Sequence, residues 1–339
     1  MKKIKIVHYG IGHDHSPQYL DCIKQFPELF EIVGVCEPNE SIKRERSNFP
    51  AYDGLRWLTE EEMFAMTDID AALVEAHDLS LVEYAQKCAD KGWHIHMDKA
   101  AGTDIKAFHK LLATIRQKGL VFQMGYMFRY NPLVKKALSM QKSGELGEIF
   151  HIDAFMNTRF DKEKREWISR LPGGNMLYLG CHMIDLTYLF WGLPNRILPL
   201  SKNTHLDGVC GNDNACAVLE YDKGVALIRA SAVEVNGFGR RQFVVSGSNA
   251  TVEINPLEGP PKAKTCILEQ SYPYQDRGTK ISLDDFINAD RYTEMMQDFA
   301  AYIHGQKENP FTLEYEYQVQ KMILAACGQE IEYKTLETI

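Results

Sequence analysis

The chain lacks the marks of several large protein classes. No run of about 18 consecutive apolar residues occurs among its 339 residues, so no membrane-spanning helix and no membrane partner are expected. Basic residues are not in excess. The 38 Lys and Arg stand against 46 Asp and Glu, a formal net charge of −8, and nucleic-acid binding needs the opposite balance. The eight cysteines (Cys22, Cys36, Cys88, Cys181, Cys210, Cys216, Cys266 and Cys327) include no C-x-x-C pair. In a chain of this length they read as reduced thiols rather than a disulfide framework. His13 with His15, and His94 with His96, are spaced as metal ligands can be, but no cysteine completes either pair. They read as ordinary histidines, and no metal is expected. Internal repeats and low-complexity segments are missing too. Met1-Lys2-Lys3 runs directly into an apolar strand without a cleavage-site pattern, which predicts a cytoplasmic protein.

What is present is an ordinary globular composition, 45% apolar and 25% charged, in a length suited to about two domains. Over residues 1–125, strand and helix patterns alternate. Ile4–Tyr9, Phe30–Cys36, Ala71–Ala76, His94–Met97 and Leu120–Met124 read as short buried strands. Pro17–Phe26, Glu60–Met66, Leu79–Lys91 and Asp104–Lys118 read as helices, the last two closed by Gly92 and Gly119. This alternation predicts a doubly wound parallel sheet, a Rossmann-type α/β domain. Residues 126–339 change register. A helix at Pro132–Lys142 is followed by paired strands, Ala215–Tyr221 with Val225–Val235 and Arg241–Ser246 with Thr251–Asn255, each pair joined by a glycine-containing turn. Ile197–Leu200 reads as a core strand, Pro256–Pro261 as a surface loop, and Asp290–Ile303 and Leu313–Cys327 as closing helices. The expectation is an α+β domain with a large, mostly antiparallel sheet.

Gly10-Ile11-Gly12-His13 follows the first strand and opens a helix. Such a turn brings backbone N–H groups and a helix N-terminus to a pyrophosphate, although His15 stands where a small residue is usual. Glu37 ends the second strand, about 25 residues after the glycines, near the ~20 expected of an acid bonding ribose hydroxyls. A carboxylate there would repel a 2′-phosphate, so NAD is expected in preference to NADP. His77, Asp98 and Lys99 complete the cofactor-binding candidates at strand ends. An ammonium at Lys99 could also hold a substrate hydroxyl and stabilise a developing alkoxide. In the second half, Gly173-Gly174-Asn175 leads into an amphipathic helix in which Tyr178, His182 and Asp185 share a face. An imidazole of near-neutral pKa on a rigid element is a natural proton acceptor. Before it lies a polar and aromatic stretch with Asn157, Arg159, Phe160, Arg165 and Trp167, residue types that stack on and bond to sugars; the alternative is a solvated surface loop.

Taken together, the glycine turn, Asp98-Lys99-Ala100, Tyr126–Pro132, Gly144–Ile149 and Gly180-Cys181-His182-Met183-Ile184-Asp185 resemble the glucose–fructose oxidoreductase / inositol dehydrogenase / MocA family over most of the chain. The resemblance implies a hydride passed between a secondary alcohol carbon of a sugar, glycoside or cyclic polyol and nicotinamide. Lys99 matches the family lysine that positions substrate, His182 the acid/base, and Asp185 the acid that contacts substrate hydroxyls. Arg129 and Tyr130 fall where the family lines its cleft. A homodimer or homotetramer formed through the C-terminal sheet is also implied. Three departures stand out: Ala100 replaces a proline, His15 a small residue, and Tyr178 an aspartate, so Tyr178 becomes a candidate proton donor or relay. Two other outcomes stay open. One is an NAD-dependent glycosidase or lyase with a transient keto-sugar, and the other a sugar-sensing regulator without turnover.

Overall fold

The computed structural model describes residues 2–259, 261–267, 279–281 and 291–339. Pro260, inside the expected surface loop, and Asp290, the expected start of a late helix, lie outside them. The chain divides into two compact units, Met1–Met127 with Asp290–Gln320 and Glu337–Ile339, and Phe128–Ala289 with Lys321–Leu336.

The first unit opens as β1 (Ile4–Tyr9), α1 (Ser16–Lys24), β2 (Phe30–Cys36), α2 (Glu40–Arg46), β3 (Trp57–Leu58) and α3 (Glu60–Ala65). It continues with β4 (Ala71–Val74), α4 (Leu81–Lys91), β5 (His94–Met97), α5 (Ile105–Lys118) and β6 (Phe122–Met124). All six strands are parallel, in the order β3-β2-β1-β4-β5-β6. Every residue of β4 is buried, as a central parallel strand covered by helices on both faces requires. Gly92 and Gly119 end α4 and α5 in the left-handed conformation, φ +82° and +61°, which glycine adopts without steric cost. Thr59 and Glu62 close a reciprocal capping box on α3.

In the second unit α6 (Pro132–Lys142) starts at Asn131, whose side chain accepts from the Leu133 and Val134 N–H groups. Then come β7 (Ile149–Phe155), α7 (Lys162–Ile168), α8 (Cys181–Trp191), β8 (Arg196–Pro199), β9 (Asn214–Tyr221), β10 (Gly224–Ser231), β11 (Gln242–Gly247), β12 (Ala250–Ile254), β13 (Ala263–Ile267) and β14 (Thr279–Ile281). Eight strands form one sheet in the order β14-β13-β12-β11-β7-β10-β9-β8, antiparallel except for the β7–β10 pair. β7 sits at its centre and α8 packs on β7 and β10.

Three features differ from the sequence expectation. The helix bearing His182 is not amphipathic: eight of its residues, Cys181 to Thr187 and Phe190, are buried. It is a central helix of the unit, whose seven consecutive buried residues cover every side of its first two turns. It is entered through a π-helical turn at Met176–Gly180. The wider π register rotates Tyr178 away from the i−4 position that an unbroken α-helix would give it relative to His182. Finally, α9 (Thr293–Ile303) and the first half of α10 (Leu313–Ala326) belong to the first unit rather than the second. The reason is packing. The Tyr292 ring lies tilted against Tyr19 at 4.4 Å, Phe299 meets His96, and the Met295 carbonyl accepts from Gln123 of β6. Among the described residues no helix is long and apolar enough to cross a membrane.

Candidate active site

The first unit gathers its candidates where β1, β4 and β5 end, beside the point at which the strand order reverses. Gly10 has φ +85°, and a Cβ there would fall 2.6 Å from the Ala76 backbone. A Cβ on Gly12 would fall 2.7 Å from the His77 backbone nitrogen. Only glycine therefore lets the chain after β4 close over this turn, and His77 takes part through its backbone. The His15 side chain makes no capping hydrogen bond to the first N–H groups of α1, so the start of this nine-residue helix keeps its partial positive charge for an anion. In donor type and position the turn fits a dinucleotide pyrophosphate.

Glu37 is buried, its two oxygens accepting the Ile11 N–H at 2.7 Å and the Asn39 N–H at 2.8 Å. Burial raises its pKa in spite of those bonds. Arg46 of α2 lies over the same turn, donating to the Ile11 carbonyl at 3.1 Å and to Asp14 at 2.7 Å. The preference for NAD read from Glu37 loses its support here. The carboxylate is held by backbone donors, and an arginine beside it supplies the cation that a 2′-phosphate would need.

Lys99 follows β5 and is 1% exposed. Its backbone N–H donates to Asp98 Oδ1 at 2.6 Å, and the peptide bond to Ala100 is cis. Gln320 of α10 braces the next residues, accepting from the Ala101 N–H at 3.1 Å and donating to the Gly102 carbonyl at 2.6 Å. Asp98 Oδ2 stands 2.6 Å from His13 Nδ1 and 2.9 Å from His15 Nδ1. Burial would raise this carboxyl, but the two imidazoles hold it well below the usual range. Neighbouring Glu75 moves the other way, pushed well above its ordinary value by burial and by Asp98. Glu75, Arg46 and Gln320 carried no signal in the sequence, since each gains meaning only through the turn it meets.

In the second unit Arg129 and Asp185 are brought together in one buried pair. Arg129 Nη2 donates to Asp185 Oδ1 at 2.6 Å, and Nε reaches both oxygens at 3.0 and 3.1 Å. Their side chains are 2% and 1% exposed. His182, one helical turn before Asp185, is buried with Phe128 edge-on to its ring at 5.0 Å. Tyr130 ends a 3₁₀ turn from Met127 and is half-buried. Asn157, just past β7, is fully buried. Its Oδ1 accepts the Ser231 N–H at 3.0 Å, while its Nδ2 finds no hydrogen-bond partner among the described residues. The polar and aromatic stretch is not a loop but contains α7, which presents Trp167 to Tyr178 at 5.4 Å. Phe160 lies 6.0 Å from the same tyrosine ring, and Lys164 Nζ sits 4.0 Å over Trp167 and 4.8 Å over Tyr178. Arg165 turns inward instead, to the Leu206 carbonyl and Asp207.

A six-stranded Rossmann-type unit with a buried lysine at a strand end, followed by an open sheet carrying a buried histidine helix, defines a two-domain oxidoreductase. Comparison with known proteins agrees. Residues 134–253 match the family model of the GFO/IDH/MocA C-terminal domain. D-xylose 1-dehydrogenase (NADP(+)) 2 of Haloferax volcanii is 22% identical over 250 residues, 71% of each chain. Among solved structures, a putative NADPH-dependent oxidoreductase from Desulfitobacterium hafniense superposes with a TM-score of 0.81 at 17% identity, covering 97% of this chain and 95% of that one. A 3-ketoreductase from Actinomadura kijaniata, solved with TDP-benzene and NADP, gives 0.76 at 17% identity and 96% coverage of both. Over residues 134–253 the second unit is thus similar to the C-terminal domain of the Gfo/Idh/MocA oxidoreductases, and the fold of the whole chain is similar to that of the solved oxidoreductases.

Proposed function

We propose that the protein is a nicotinamide-dependent dehydrogenase or reductase working at a secondary alcohol carbon of a sugar, glycoside or cyclic polyol. The observation that carries this reading is Lys99, a cationic side chain 1% exposed at the C-terminal edge of the parallel sheet, where such folds bind ligands. Bound nicotinamide would supply the hydride acceptor or donor. The chain supplies the rest. Lys99 donates to the substrate oxygen and offsets its developing negative charge. His182 takes the hydroxyl proton, or returns it in the reverse direction. Asp185 acts through Arg129, whose guanidinium it orients. Asn157 Nδ2 offers a donor to a hydroxyl, and the Phe160, Trp167 and Tyr178 rings offer faces on which a sugar ring can stack. Tyr130 borders the Arg129 pair.

Gly10, Ile11, Gly12, His13 and His77 form the dinucleotide turn, and Asp98 fixes the Lys99 backbone. With Glu37 engaged and Arg46 adjacent, either NAD or NADP can be the partner; the Haloferax xylose dehydrogenase is NADP-dependent and the Actinomadura 3-ketoreductase was solved with NADP. The second unit's sheet exposes Phe150 and Val225, and self-association through that sheet completes the reading.

The test is a panel of sugars, glycosides and inositols with NAD and NADP, following absorbance of the reduced cofactor. On the active pair, His182→Ala and Lys99→Ala are each expected to lower kcat/KM by about 10²–10⁴-fold. Near-normal turnover by the His182 variant refutes its role. Substrate loss without net reduced cofactor would assign the transient keto-sugar route instead, and sugar binding with no turnover a sensor.

A further inference from the structure

The ends of β1, β4 and β5 also bring together imidazole nitrogens and carboxyl oxygens to which the hydride-transfer reading gives no part, Asp98 Oδ2 among them. We propose that His13, His15, Asp98 and Glu75 form a binding site for a divalent transition-metal ion, with zinc the best match. The three atoms His13 Nδ1, His15 Nδ1 and Asp98 Oδ2 converge, the first two lying 2.6 and 2.9 Å from the third, and ligand atoms of these three residues all fall within 4.8 Å of one another. Glu75 Oε2 lies 3.9 Å from His13 Nδ1. Zinc–ligand distances near 2.0–2.2 Å put the edges of a tetrahedral site at about 3.3 Å, a value these separations bracket.

Beyond this convergence, one further observation points to a cation. Glu75 is completely buried and neither of its oxygens has a hydrogen-bond partner among the described residues, which is costly for a carboxyl group. With Nδ1 as the ligand atom, His13 keeps its proton on Nε2, which faces Asp78 Oδ1 at 3.8 Å. At that distance the Asp78 carboxylate favours this tautomer by charge, without a hydrogen bond. His15, 18% exposed at its side chain, leaves a route in. Two imidazoles with two carboxylates favour a first-row transition ion over magnesium.

The test uses the purified full chain, stripped with a chelator and given ZnCl₂, with MgCl₂ as control and with no cofactor or substrate, so its result is separate from that of the dehydrogenase reading. Metal retained after gel filtration is counted by mass spectrometry. About one zinc per chain and no magnesium is expected, and His15→Gln or Asp98→Asn should abolish retention. Asp78→Asn, a positioning change, should weaken zinc by about 10–100-fold. Co²⁺ added to the unsubstituted chain should give the visible band of a tetrahedral site, lost on adding zinc, which decides the matter even where a variant fails to fold. Absence of stoichiometric zinc and of the cobalt band overturns the proposal, as does equal zinc retention by a folded His13→Gln/His15→Gln chain.

Discussion

Asp185→Ala should destabilise the second unit severely, and the size of the effect follows from the geometry of its partner. Three N–H···O contacts of 2.6–3.1 Å join Arg129 to Asp185, with both side chains at most 2% exposed. At an effective dielectric of about 20, opposite charges about 4 Å apart attract by about 4 kcal/mol, most of which only offsets the cost of taking them out of water. Removing the carboxylate alone strands a buried guanidinium, a change that costs about 3–5 kcal/mol. With a urea m-value of about 2–3 kcal/mol/M, the unfolding midpoint falls by about 1–2.5 M. Trp167 and Trp191 report on this unit once Trp57 and Trp93 are replaced by Phe, which isolates its transition from that of the first unit. The companion Arg129→Met/Asp185→Leu removes both charges and should recover most of the loss, because the paired ions gain little over well-packed apolar groups. A single-variant midpoint within about 0.3 M of the parent, or a double variant no better than the single, would refute the buried-pair argument.

Three further outcomes are expected. His8 is fully buried against Ser16 and Tyr52, and burial lowers its pKa to about 3 from 6.5. Between those values the unfolded chain holds a proton that the folded chain does not, so stability falls as pH drops below about 6.5. At pH 5 this amounts to about 2 kcal/mol, and denaturation of His8→Gln between pH 7.5 and 5 should show an acid loss smaller by that amount. Gly10→Ala forces a side chain into φ +85° and onto the Ala76 backbone. A loss of about 2 kcal/mol or more in the first unit, with weakened NAD or NADP binding by calorimetry, is expected; unchanged affinity would count against the turn as the pyrophosphate site. Asn131→Ala removes two capping bonds from α6 and should cost about 1 kcal/mol by urea denaturation.

The elements easiest to read from the sequence are those whose signal is local. β1, β2 and β5 have the expected bounds, and Gly92 and Gly119 end α4 and α5 where their spacing indicated. β7, at the centre of the large sheet, was not legible because its HIDAF run mixes polar and apolar residues at a half-covered face. The seven-residue α7 escaped because charged residues dominate it, and its one conspicuous aromatic, Trp167, meets Tyr178 only through folding. Tyr178 itself was placed by α-helical spacing, and the π turn at Met176–Gly180 changed that phase.

The sequence alone was enough to determine a βα-alternating first half, a hairpin-rich second half, a glycine turn at the first strand end and a histidine helix, since these depend on backbone preference and hydrophobic period over a few residues. Only the tertiary structure decided the partners. Asp185 could not be known to be held by Arg129, Asp98 by His13 and His15, or Glu37 by the Ile11 N–H, nor α9 to return to the first unit. Those pairings join residues 26–85 positions apart, or in the case of α9 and the residue before it 172–273 apart, and burial sets their charge states. Such contacts have no local periodicity to announce them; they exist because packing excludes water and leaves each buried polar group to find a partner within the fold.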